Sequence, residues 1–243
     1  MRALRRTIGW LAAVAVLAIA AALFWAMVRG RPQDLPWAPL DLGEPAGPFT
    51  GRKLAALGRS FPQCRALLDR AGVRYAALPA RRDGAACGYD DAVRFAPGGA
   101  RRIAFIPRAP AVACPVAAAL AMWEWDVVQP AALRHLGSRI VEIEHLGSYN
   151  CRRMYGRTGG AWSEHATANA IDVAGFVLAD GRRVTVRDAW RGSGEEAAFL
   201  RAARDGACRL FATVLSPDYN AAHRDHLHLD QADRGPFGWR ACR

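Results

Sequence analysis

Lysine is nearly missing from this chain. Of the 33 cationic side chains, Lys53 is the single lysine and the rest are arginines. The positive charge therefore persists at any ordinary pH. Acids are missing from the first 31 residues, which hold five Arg; without that segment the formal charge of +11 falls to +6. Cysteine is sparse, six in 243 residues, which excludes a cysteine-dense mini-scaffold. No C-x-x-C pair occurs, so a cysteine zinc knuckle is excluded too. Internal repeats and low-complexity tracts are also missing. What is present is a globular balance. Charged residues make up 23% and the hydrophobic set 52%, which rules out a disordered chain and a polytopic membrane protein.

Residues 8–28 run from Ile8 to Val28 without a charge. Roughly 20 residues of helix span a hydrocarbon core. A cleaved signal peptide is the alternative. The run is longer than a signal core, however, and Phe24, Trp25 and Met27 crowd the place where small residues would mark cleavage. The expectation is an uncleaved transmembrane signal anchor over 1–31, through which the protein holds the cytoplasmic membrane in a single pass. Arginines flank the run on both sides, so charge leaves its orientation open. All six cysteines, Cys64, Cys87, Cys114, Cys151, Cys208 and Cys242, follow the run in an even number, which fits disulfides in an oxidising compartment. That places the C-terminal body in the periplasm or the cell exterior. One bridge is expected between Cys64 and Cys87, which are close in sequence and flank a helix.

Residues 32–50 read as a Pro/Gly-rich linker, with Pro32, Pro36, Pro39, Pro45 and Pro48. Residues 51–243 show no second linker and read as one domain. Ser60 caps a helix with Pro62 in its first turn and Gly72 after its end. A buried helix begins at Pro115 and is interrupted or ended near Pro130. Residues 139–148 and 170–178 read as strands. The Asp180–Gly181 turn then sends Arg183–Val186 back as a hairpin partner. Ser193 and Glu196 form a capping box for a helix reaching about Leu215. His226 to Leu229 alternates like a short strand. The fold class is α+β with an antiparallel sheet.

Four of the six histidines fall in two short segments, S-E-H-A-T-A-N-A-I-D (163–172) and H-R-D-H-L-H-L-D (223–230). A catalytic zinc takes three protein ligands and leaves a position open. His165, Asp172 and one histidine of the second segment supply that set. A helix over 165–172 would hold the two residues about 10 Å apart along its axis. A loop bringing His165 to a strand bearing Asp172 is therefore required. A carboxylate inside the apolar run Ala170–Ala174 is costly unless paired or metal-bound. His226 and His228, two apart on a strand, share a face. A closed structural site using both is the other reading.

The pattern Ser163-x-His165-x-x-Ala168-x-Ala170-x-Asp172, followed by Asp225-x-x-His228, resembles the motifs of the zinc D-Ala-D-Ala metallopeptidases. More closely, residues 147–152, 163–176 and 218–230 resemble the bacterial extensin-like C-terminal domain family, over roughly residues 35–243. The resemblance implies a Hedgehog/D-Ala-D-Ala-peptidase-like fold, a small antiparallel sheet carrying a Zn2+ site with flanking helices. It implies zinc ligands His165, Asp172 and His228. It puts Asp225 in place of the general base and His226 in place of an auxiliary polar group. Arg152 matches a substrate-contacting arginine, and Ser163 a residue that binds peptide or orients His165. Ala168 stands where glycine is usual, and Asp225 where glutamate is commoner. The activity implied is a zinc-dependent peptidase acting on peptidoglycan stem peptides or cross-links, of carboxypeptidase or endopeptidase type. A catalytically silent zinc domain that binds cell wall or an envelope protein is the alternative. Nucleic acid is not an expected partner, because the arginines are scattered and the location is external.

Overall fold

The computed structural model describes residues 2–29, 31–235 and 239–243. The first helix, α1 (Arg2–Arg29), contains the stretch Arg5–Ala26, long and apolar enough to cross a membrane and with no part of it buried against the rest of the chain. A signal sequence near the N-terminus passes the same test of length and apolarity. The Pro/Gly-rich residues after it are not a free tether. Leu40 and Leu42 enter the core, and buried Gln33 donates from Nε2 to the Asp41 carbonyl at 3.1 Å. The folded body thus reaches well ahead of residue 51.

Two helices follow, α2 (Thr50–Ala56) and α3 (Phe61–Arg70). The Ser60 side chain accepts the Gln63 N–H, Pro62 lies in the first turn, and Gly72 follows at φ +69°, as the sequence predicts. Strand β1 (Val73–Ala77), the small hairpin β2 (Arg81–Arg82) and β3 (Gly88–Tyr89), and β4 (Ala92–Gly99) come next. Then β5 (Ala104–Ile106) and β6 (Val112–Ala113) lead into α4 (Cys114–Trp123). Every residue of α4 is buried, as expected of a helix that is apolar all round. The helical path survives Pro130. Gln129 donates its N–H to the Glu124 carbonyl five residues back, and this π-turn over Glu124–Val128 seats the proline in the first turn of α5 (Gln129–Leu136). Gly137 at φ +67° ends it.

The remaining elements build the main sheet. They are β7 (Ile140–Gly147), β8 (Ala170–Leu178), β9 (Arg183–Thr185), α6 (Val186–Ala189), α7 (Glu195–Leu210), β10 (Thr213–Leu215), β11 (Leu227–Asp230) and β12 (Ala241–Cys242). The strand order is β12-β10-β11-β8-β7-β5, with β9 paired to the far half of β8. Pairing is antiparallel apart from β5–β7 and β10–β12. A smaller sheet runs β1-β4-β6. The class is mixed helix and largely antiparallel sheet. Trp123 of α4 packs against Phe176 of β8 at 5.9 Å between ring centroids, and Phe176 against Phe199 of α7 at 5.0 Å. The helices therefore cover the face of β8 that points away from Asp172.

Two expectations need correction. The α7 helix is not closed by a Ser193–Glu196 box. Its N-cap is Gly194 with no side-chain bond, and the carboxylates of Glu195 and Glu196 complement the helix dipole instead. It stops at Leu210, because Thr213–Leu215 leaves to pair with β11. Cys64 is not bonded to Cys87. The bridges are Cys64–Cys114, Cys87–Cys151 and Cys208–Cys242, and no cysteine is free among the described residues. Cys64 lies on the buried face of α3, against the start of α4, whereas Cys87 belongs to the small hairpin. Each bridge closes a loop of 34 to 64 residues. In the chain-entropy picture each contributes about 4 kcal/mol.

An ion pair ties the π-turn to the strand region beside it. Arg101 Nη2 and Glu124 Oε2 lie 2.7 Å apart, with the two side chains 6% and 1% exposed. Glu124 Oε1 also accepts the Ile103 N–H at 3.1 Å, and the guanidinium lies 4.0 Å from the Phe95 ring centroid. Removing the carboxylate leaves a buried cation and an unpaired amide. Glu124→Ala is expected to cost about 3–5 kcal/mol, read from the urea midpoint with disulfides intact, and Glu124→Gln to cost less. A midpoint unchanged in Glu124→Ala would refute this role.

Candidate metal centre

β7 and β8 are antiparallel neighbours, yet residues 148–169 separate them. A connection this long is expected where a loop carries function. It leaves the sheet at Gly147, makes a small excursion closed by the Arg153–Trp162 bridge, and returns through a 3₁₀ turn over Glu164–Thr167. Ser163 caps that turn, its Oγ accepting the His165 N–H at 3.3 Å. Ala168 then adopts φ +56°, the left-handed conformation that glycine takes without strain, and delivers the chain into β8. The buried methyl of Ala168 is accommodated there.

Asp172 and His228 are direct cross-strand partners on β8 and β11. Ile171 and Val173 on either side of Asp172 join the core, so the carboxylate emerges on the opposite face. Beyond it, the pairing of β8 with β7 shifts between Val173 and Gly175. The extra residue, Ala174, is a bulge that restores Phe176 and Leu178 to the core side.

Three ligand atoms converge here. His165 Nε2 lies 3.2 Å from Asp172 Oδ1 and 3.1 Å from His228 Nδ1, and His228 Nδ1 lies 2.9 Å from Asp172 Oδ1. The other nitrogen of each ring is committed. His165 Nδ1 donates to the Ser148 carbonyl at 2.6 Å, and His228 Nε2 donates to Asp230 Oδ2 at 3.0 Å. Those bonds fix the tautomers. In the neutral rings, Nε2 of His165 and Nδ1 of His228 are left as lone pairs facing a carboxylate oxygen. Three acceptors at such spacing repel unless a proton or a cation sits among them. Two ligands of a tetrahedral ion at about 2.1 Å stand about 3.4 Å apart. The His/Asp/His set can thus hold a metal ion. The carboxylate behind His228 is the arrangement that orients metal-bound imidazoles.

The protonation pattern agrees. Burial opposes charge on His228, yet Asp172 and Asp230 on its two sides outweigh it and raise its pKa to about 9. Burial would raise the Asp172 carboxyl, but hydrogen bonds from His165 and His228 hold it well below the usual carboxylate range. A metal ion bound by this set would take the place of the shared proton, so its binding would release one.

The set lies on the floor of a cleft of about 1130 Å3. Arg152 and Ser163 line it, as do His226 and His223. Asp225 is not among the cleft residues. Its Oδ1 lies 2.9 Å from His226 Nδ1, with Arg187 Nη2 3.5 Å from its other oxygen. The hydrogen bond from His226, with Arg187 beyond it, holds the Asp225 carboxyl below its ordinary value. His226 is thereby turned so that Nε2 stands 3.6 Å from Asp172 Oδ1. The predicted residues are brought together, with Asp225 one side chain behind the rest.

Sequence reasoning missed Asp230, Ser148 and His223. Asp230 carries a legible signal, since it continues the two-residue alternation of His226 and His228. Ser148 acts through its backbone and has none. His223 donates from Nδ1 to Asn220 Oδ1 at 2.7 Å. Burial, then the charges of His226 and His228, lower its pKa to about 4, so it is neutral at ordinary pH. Glu164 also lines the cleft, its carboxyl pushed up by burial while Asn169 donates to it at 2.6 Å.

Residues 62–243 match the family described as Extensin-like protein C-terminus. The chain belongs to this family. No curated protein and no solved structure matches it. The extensin-like match contains the whole donor set and every cysteine, and it begins inside α3, after the core residues Leu54 and Leu57.

Asp230 touches only His228 of the donor set. Asp230→Ala is therefore expected to weaken metal binding about 10- to 100-fold, measured by competition with a chromophoric chelator. An unchanged affinity would show that the Asp230–His228 bond does not support the site.

Proposed function

We propose that the extensin-like domain is a zinc-dependent peptidase held at the outer face of the cytoplasmic membrane and acting on peptidoglycan stem peptides or cross-links. The observation that carries this reading is the convergence of three lone-pair atoms whose rings are each fixed from behind. The motif order, with His165 and Asp172 first and His228 after, supports a relation to the D-Ala-D-Ala metallopeptidases and their Hedgehog-like fold. Three disulfides behind an apolar N-terminal helix support an extracytoplasmic setting.

Zinc held by His165, Asp172 and His228 would supply a Lewis acid that polarises a scissile carbonyl and acidifies water. The chain's own groups supply the rest. His226, held through Nδ1 by Asp225, offers Nε2 to take a proton from the attacking water and return it to the leaving amine. The proton acceptor expected at Asp225 is thus reached through His226, and Asp225 orients that ring and stabilises its charged form. Arg152 in the cleft wall is placed to meet a substrate carboxylate or a developing oxyanion. Ser163 positions His165 through the turn it caps. Murein peptides carry free carboxylates, and Arg234 and Arg243 add further cations to the cleft.

The test is incubation of the protein with purified peptidoglycan, with and without chelator, and mass spectrometry of the products. His165→Ala is expected to lose both zinc and hydrolysis. Asp225→Asn is expected to keep zinc and lose about 10²–10⁴ in rate. Loss of zinc in Asp225→Asn would make Asp225 a structural support of the donor set. Tight zinc binding with no product from the parent protein would favour the wall-binding reading.

A further inference from the structure

The single lysine lines a second hollow, which meets the cleft of the metal centre at Ala232 and Arg234. This hollow of about 270 Å3 is lined by Arg52, Lys53, Arg59, Arg234 and Arg240, with Asp233 as its acid among the described residues. Trp239 lines it and is 87% exposed. Pro36 lines it as well, and the next residue, Trp37, is 75% exposed. Arg240 also borders an adjoining hollow that contains Arg31, two residues past the end of α1, along with Arg209 and the acids Asp34 and Glu44.

Chain length constrains where this surface can go. Three residues, and so four backbone steps, separate Arg29, the end of α1, from buried Gln33. At about 3.5 Å per residue they span at most about 14 Å. A bilayer crossed by α1 therefore lies within that distance of the body at the entry of residues 31–36. The side of the body at that entry carries Arg52, Lys53, Arg59 and Arg240, with Asp34 and Glu44 among them and Arg31 within 3.7 Å of Asp34, together with the exposed Trp37 and Trp239. Indole rings favour the headgroup level of a bilayer, and basic side chains favour an anionic leaflet.

From this we infer that the Arg52–Lys53–Arg59–Trp239 face rests on an anionic lipid headgroup layer and fixes the orientation of the domain on the membrane. The inference rests on α1 remaining as a span and is independent of the chemistry in the cleft. Each cation held near an anionic leaflet favours the bound state about fivefold.

Because Lys53 is the single lysine, amine-reactive labelling of the full chain reads this face alone, and the N-terminal amine serves as an internal reference. The chain is reconstituted in nanodiscs of phosphatidylcholine or of phosphatidylcholine with phosphatidylglycerol, and labelling is read by peptide mass spectrometry. The N-terminal peptide in the same digest confirms that α1 is intact. In the anionic discs, Lys53 is expected to label about tenfold more slowly. The protection should vanish in about 1 M salt and in Arg59→Glu, and should be insensitive to chelator. Equal labelling in both discs would overturn the proposal without touching the metal-centre reading. Protection by soluble murein fragments, with none by lipid, would also overturn it and make the face a wall-binding one.

Discussion

Asp172 is a carboxylate on the middle strand of a sheet, between two apolar neighbours packed into the core. Such a group is tolerated only when its charge is met at close range. Here two imidazoles meet it, one from the adjacent strand and one from a loop. The demand shapes much of the surrounding chain. The register of β8 and β11 puts His228 opposite Asp172. The turn capped by Ser163 swings His165 into reach. Ser148 and Asp230 then hold each ring by its far nitrogen. Moving β11 by one residue would place Leu227 or Leu229 opposite the carboxylate and expose the arrangement to an uncompensated buried charge.

The histidines of the cleft differ in what they can do, and the difference comes from surroundings rather than residue type. His228 sits between two carboxylates and favours a cation among them. His223 is buried beside other imidazoles and stays neutral. His226 is anchored on a carboxylate that faces away from the floor. One floor thus offers a cation site, a neutral imidazole and a ring poised between them.

Much of this was legible in the sequence because local patterns decided it. The helix capped by Ser60, the hairpin at Asp180–Gly181 and the two separate strands bearing Asp172 and His228 follow from capping, turn chemistry and alternation. Asp172 was legible for the same reason, since a carboxylate in an apolar strand calls for a partner, while the choice of His228 within the second segment came from the family resemblance. Long-range choices were not. Cys64 pairs with Cys114 because α3 docks on the start of α4, and chain proximity to Cys87 says nothing of that docking. Asp225 lies behind His226 because the turn entering β11 points it toward Arg187. The apolar rhythm of β8 is broken by the Ala174 bulge, which only the pairing with β7 reveals. Leu40 and Leu42 were hidden by the prolines around them, which suggested a tether while the leucines sought the core.

The Cys87–Cys151 bond joins the small hairpin to the loop that follows β7. Cys151 lies between Ser148, whose carbonyl holds His165, and Arg152 of the cleft wall. Tyr149 in the same loop donates its hydroxyl to Asp83 of the hairpin at 2.7 Å. The consequence is one of maturation order. Oxidation of that one pair and the setting of the His165 ring are steps of a single assembly. Covalent closure of that one loop is thereby joined to the placing of a side chain outside the hairpin.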